Sequence, residues 1–194
     1  GIRISKSLNQ FYEFLNQWPI PTVTGWNSND LLWDDHPSYC GRPGTVGNRA
    51  GNFAVQFSDC LLIVGSRLNI RQVSYNWKSF GKNAWKCHID IDSAELNKPT
   101  LNTDLKVVST IKGFFPKLSS CMENKLANYK DSRSHFTRNE WSEWRAWLKS
   151  SLSKFSGDLP HKAHNQNSVN PYKMISELTS QLKEGEHIIC SDGT

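Results

Sequence analysis

Residues 60–66, reading "CLLIVGS", constrain the fold more than any other stretch of this 194-residue chain. The run is continuously apolar and closes on a glycine, the pattern of a strand covered on both of its faces. Just ahead of it, Ala50, Phe53, Ala54 and Phe57 recur at helical spacing. A helix leading into a doubly covered strand implies a parallel sheet, because parallel strands are joined by crossovers that lay helices over the sheet.

The flanking segments extend this pattern. Leu8, Phe11, Leu15 and Trp18 share one helical face that Pro19 and Pro21 terminate, and "IPTVTGW" reads as a short buried strand. Downstream, "WKCHIDID" and "DLKVVST" are strand candidates. Between them Ser93 is placed to cap a helical turn that Pro99 stops. A further helix through "IKGFFPKL" is weakened by Gly113 and Pro116. Strands separated by helical stretches predict an α/β, Rossmann-like doubly wound parallel sheet over residues 1–120. Residues 121–169 are polar and read as a linker with one helix, built on Trp141, Trp144 and Leu148 as packing anchors. From residue 170 an α/β pattern restarts. Asn170 caps a helix with Pro171 at its first position, Tyr172, Ile175, Leu178 and Leu182 share a face, and "HIICSDGT" reads as a strand running into a turn.

The formal charge is +5, with a pI near 9.0, but Lys and Arg are interspersed with Asp and Glu and form no stripe, which argues against nucleic acid as a partner. Cys40, Cys60, Cys87, Cys121 and Cys190 are widely spaced with no C-x-x-C pair, the usage of free thiols in a reducing cytosol. No apolar run approaches the ~20 residues that cross a bilayer, and residues 1–20 lack the apolar core of a signal peptide. The expectation is a soluble, cytoplasmic protein that does not associate with membranes.

In an open parallel sheet, ligands bind at the carboxyl ends of the strands, so the turns that follow strands are the candidate sites. Gly41, Gly44 and Gly47 precede the first crossover helix, and Thr45 lies among them, but their spacing is not G-x-G-x-x-G. Two readings stand: a backbone free of Cβ atoms that admits a pyrophosphate or flavin, or a tight turn that lets helix and loop pack closely. Arg67 and Arg71 follow the buried strand, where a guanidinium can fork onto a phosphate or pair with a neighbouring carboxylate. His88, Asp90 and Asp92 alternate along one side of "HIDID", where an acid can accept from a ribose hydroxyl. No metal ligand set is assigned. There is no G-x-S-x-G elbow, H-E-x-x-H or Walker loop, so no catalytic residue is assigned either. His36, beside Pro37, reads as structural, and His135, His161 and His164 as solvated linker residues.

Taken in order, "HPSYCGRPGTVGNRAGNFAVQFSDCLLIVGSRLNIRQ" and "KCHIDIDSAELNKPTLNTDLKVVST" resemble the central domain of thiamine-diphosphate-dependent enzymes of the acetolactate synthase type, over residues 1 to about 118. The resemblance implies several things. "GIRIS" matches the turn after that domain's first strand, which the chain is then expected to lack, and "NPYKMISELTSQLKEGEHIICSDGT" matches the opening of the pyrophosphate-binding domain. The chain is thus expected to be a non-catalytic internal piece of a longer carboligase or decarboxylase acting on a 2-oxo acid. That parent is expected to be a homodimer or tetramer that binds thiamine diphosphate and Mg2+ through groups absent here. FAD is the ligand the resemblance implies for this domain, with Gly44, Thr45 and Gly47 beside the flavin, Arg67 and Arg71 at the phosphates or ribityl chain, and Asp90 and Ile91 at the adenosine end. Asn69 and Ile70 stand where flavin-binding members carry two acids, and relatives without a cofactor keep the same glycines for packing. The alternative is a free-standing nucleotide-binding or regulatory α/β domain.

Overall fold

A computed structural model describes residues 1–128, 138–155, 169–183 and 185–188. The chain divides into two compact units, Gly1–Lys154 and Phe155–Thr194.

The first unit is built on three parallel strands in the order β1-β2-β3: β1 (Cys60–Val64), β2 (Trp85–Asp90) and β3 (Leu105–Val108). Leu62 is in register with Cys87, and Cys87 with Leu105. Helix α1 (Leu8–Gln17) precedes the sheet, and α2 (Arg49–Gln56) leads into β1. The short helices α3 (Ile70–Val73) and α4 (Ser93–Asn97) follow β1 and β2, and α5 (Ile111–Asn128) follows β3. This is the α/β doubly wound arrangement expected from the continuous apolar run. Successive strand residues face opposite sides. Accordingly Ile63 joins one apolar cluster, with Val55, Leu68, Val73, Phe80 and Leu101, while Val64 packs against another. That second cluster is formed by the face of α1 carrying Phe11, Phe14 and Leu15 against Ile111 and Phe115 of α5. The Phe115 ring lies 5.6 Å from Phe11 and 5.2 Å from Phe14.

Side-chain caps explain where the helices start. The Asn48 carboxamide oxygen accepts from Gly51 N–H at 2.8 Å to open α2, and Asn69 accepts from Arg71 and Gln72 to open α3. Asp92, rather than the expected Ser93, caps α4 by accepting from Ala94 N–H at 2.8 Å. A carboxylate there meets the positive end of the helix dipole. Helix α5 continues through Gly113 and Pro116 to Asn128. The stretch "IPTVTGW" does not form a full strand. Thr22 makes one parallel bridge to Tyr39, with Thr22 N–H donating to Ser38 O and Cys40 N–H to Thr22 O. Pro19 and Pro21 lack the N–H donors that a longer ladder would use.

Helix α6 (Arg138–Lys154), which carries the tryptophans, packs on α2. Leu148 is fully buried beside Cys40 and Ala54, Trp144 leans on that cluster, and Trp141 on the α1–α5 cluster. Trp147 stacks on Trp144 at 5.2 Å and remains 45% exposed. Strands β1 and β3 are the two outer strands, and on β3 Leu105 and Val108 are exposed.

In the second unit, α7 (Pro171–Ser180) begins as expected, with the Asn170 side chain accepting from Tyr172 and Lys173. The strand expected in "HIICSDGT" lies outside the described residues from position 189 onward, as do His135, His161, His164 and Cys190. No helix among the described residues is long and apolar enough to cross a membrane.

Candidate functional site

The carboxyl ends of β1 and β2 gather most of the candidate residues. After Val64 the chain turns at Gly65, whose φ is +56° and whose N–H donates to Ile89 O at 2.8 Å. Leu68 and Ser74, at φ +48° and +65°, bracket α3, and left-handed backbone at residues with side chains is strained. Leu68 is held there by its burial in the cluster around Ile63. With the chain turned in this way, the Arg71 carbonyl of α3 meets Gly44 and Thr45 of the glycine turn.

That contact decides what the glycines do. Gly44, at φ +116°, donates its N–H to Asn52 Oδ1 at 2.9 Å, and Asn52 Nδ2 donates back to Gly44 O at 3.3 Å. Thr45 donates through both N–H (2.8 Å) and hydroxyl (3.2 Å) to Arg71 O, and Gly47 N–H donates to Gly44 O at 3.1 Å. A Cβ at Gly44 would overlap the Arg71 carbonyl, and one at Gly47 the Arg42 carbonyl. The donors of this turn are consumed within the protein, and its missing Cβ atoms make room for other backbone. At Gly44, Thr45 and Gly47 themselves, then, neither an N–H nor the room left by a missing Cβ is turned toward a ligand.

The two arginines differ. Arg67 is exposed and its Nε lies 3.4 Å from Glu95 Oε1; Glu95 also meets Lys98 at 3.0 Å. Such an exposed pair is worth ~0–1 kcal/mol and yields readily to a better anion. Arg71, also exposed, sets its guanidinium 5.8 Å from the ring centre of Trp26. Both cations thus stand exposed in the segment that follows β1.

On β2, His88 is buried and its Nε2 lies 2.9 Å from Ser66 O, so that nitrogen carries the proton. Burial lowers the His88 pKa, with the Ser66 carbonyl and Asp90 opposing it, and the imidazole is held neutral. Asp90, 9% exposed, accepts from Asp92 N–H at 3.0 Å, and Ile91 is 70% exposed beyond it. Asp92, spent on capping α4, leaves the triplet without a common focus. Among the described residues no group of three His, Cys, Asp or Glu side chains could hold a metal ion. His36 lies elsewhere, buried, accepting from Ser38 N–H at Nδ1 (3.1 Å) beneath the edge of Trp33, as a structural residue does. Two contributors carry no motif signal: Trp26, and Asn52, whose only hint is its place one helical turn after the capping Asn48.

Residues 1–118 match the family described as "Thiamine pyrophosphate enzyme, central domain". The chain belongs to that family. The matched span contains all three strands, the glycine turn and α3. As a thiamine pyrophosphate enzyme central domain, it is 29% identical over 192 residues to the acetolactate synthase large subunit of Lactococcus lactis, an alignment covering 99% of this chain and 30% of the relative. It is 26% identical over 184 residues to the probable acetolactate synthase large subunit of Methanococcus aeolicus (95% and 30% covered), and 35% identical over 98 residues to the Escherichia coli isozyme 2 large subunit (50% and 18%). The chain thus spans about 30% of the length of the first two of these relatives. A free-standing regulatory domain draws no support from these matches.

Proposed function

We propose that this chain is the non-catalytic central portion of a longer thiamine-diphosphate- and Mg2+-dependent carboligase or decarboxylase acting on a 2-oxo acid. The observation that carries the reading is that the family match over residues 1–118 coincides with the whole three-stranded sheet. Thiamine diphosphate supplies the electron sink for such chemistry. In this reading the groups that hold thiamine diphosphate and Mg2+ lie in the other parts of the longer protein, and the task of this chain is to carry and space them.

Within this reading Arg67 and Arg71 receive the phosphates of a flavin dinucleotide, and Asp90 and Ile91 flank its adenosine end. Gly44, Thr45 and Gly47 contribute by clamping α3 against the turn, which aims Arg71. The assembled protein is an oligomer acting in the cytoplasm.

Calorimetric titration of thiamine diphosphate with Mg2+ into the longer protein tests the proposal, with a flavin absorption spectrum recorded on the same sample. Cofactor binding by the longer protein, with no binding and no 2-oxo acid turnover by the 194-residue chain, is expected. A longer protein that binds no thiamine diphosphate overturns the reading, and one without flavin returns Arg67 and Arg71 to surface roles.

A further inference from the structure

A cavity lies at the opposite end of the sheet from the turns described above. It has a volume of about 230 Å3 and is walled by Trp77 and Phe80, which precede β2, and by Leu101 of the loop that enters β3, with Lys78, Lys86 and Asn102 supplying polar atoms. Phe80 and Leu101 belong to the core cluster around Ile63, so the cavity floor is a rigid apolar surface.

Lys86 makes this more than a surface dimple. It is the second residue of β2 and 9% exposed, yet its ammonium donates to one neutral acceptor, Ala84 O, at 3.0 Å. An ammonium has three donors, and a buried cation is costly unless an anion meets it. Asp104 lies beside the strand and accepts from the Lys86 backbone N–H at 2.7 Å, but no ion pair to the Lys86 ammonium occurs among the described residues. Across the cavity, the N–H groups of Thr100, Leu101 and Asn102 donate to no backbone carbonyl among the described residues. A small cavity with an apolar floor and one buried cation in its wall is the chemistry of an organic anion site.

We propose that this cavity binds a small organic monocarboxylate, its carboxylate on Lys86 Nζ with Lys78 at the mouth, and its apolar body against Phe80, Leu101 and Trp77. The site is separate from the carboxyl-end turns and does not depend on the assignment of the thiamine-diphosphate enzyme.

Benzoate is a suitable probe, titrated into the 194-residue chain and followed by amide chemical shifts. Saturable shifts centred on Lys78, Phe80, Leu101 and Asn102 are expected. Benzyl alcohol, with the same ring and no charge, should bind about tenfold more weakly, and inorganic phosphate, with charge and no apolar body, should not reproduce the shifts. Lys86→Met should weaken benzoate by about tenfold, whereas Lys112→Met, which removes the same charge from exposed α5, should leave it unchanged. Equal binding of benzoate and benzyl alcohol, or the absence of saturable shifts in the wild-type chain, overturns the proposal. Should Lys86→Met fail to fold, the three-ligand comparison on the wild-type chain decides it.

Discussion

Gly44 illustrates how a residue with two plausible purposes acquires one. From composition its lack of a side chain suits a ligand or a neighbour equally well. The deciding fact is the position of the Arg71 carbonyl, which no local spacing reveals because it arrives from 27 residues further along the chain. Gly44→Ala places a methyl group against that carbonyl at φ +116°, where L residues are strained. A loss of about 1–3 kcal/mol is expected from the strain alone, read as a lower urea midpoint at unchanged slope. A variant as stable as the parent would show that the turn is looser than its hydrogen bonds to Asn52 and Arg71 imply.

At the scale of elements, legibility followed locality. The three strands were readable because apolar runs and β-branched residues report burial directly. The Asn170 cap, which acts within three residues of itself, was readable too, whereas the α4 cap was read one residue late, at Ser93 in place of Asp92. "IPTVTGW" misled because its β-branched residues suit a strand while its prolines deny it a ladder. Strand β2 also couples folding to pH. Its carboxyl end buries His88, and His36 is buried beside Trp33; the pKa of both is lowered, burial being the largest cause, with Lys149 adding to it at His36. Above about pH 6.5 each is neutral whether folded or unfolded and contributes nothing to the slope. As pH falls through 6.5 the unfolded chain takes up protons first. Stability is therefore expected to fall with acidification until the lowered folded values are passed. Urea melts across this range should show a shallower decline for His88→Gln; an unchanged decline would mean that His88 is not the group responsible.

Viewed as a whole, the first unit is a sheet three strands wide among the described residues, with apolar clusters on both faces. The exposed outer strand β3 has a further consequence. The open edge of an outer strand is a template for backbone pairing with another chain, and Leu105 and Val108 would make such a junction sticky. Between them stands Lys106, whose ammonium is tied to Asn97 Oδ1 at 3.1 Å and so kept in place on the strand. It works as a gatekeeper, a charge that any incoming strand would have to dehydrate. Lys106→Ile should leave the melting transition nearly where it was but raise light scattering steeply with protein concentration. A protein of this kind can be stable and still depend on one lysine to stay dispersed.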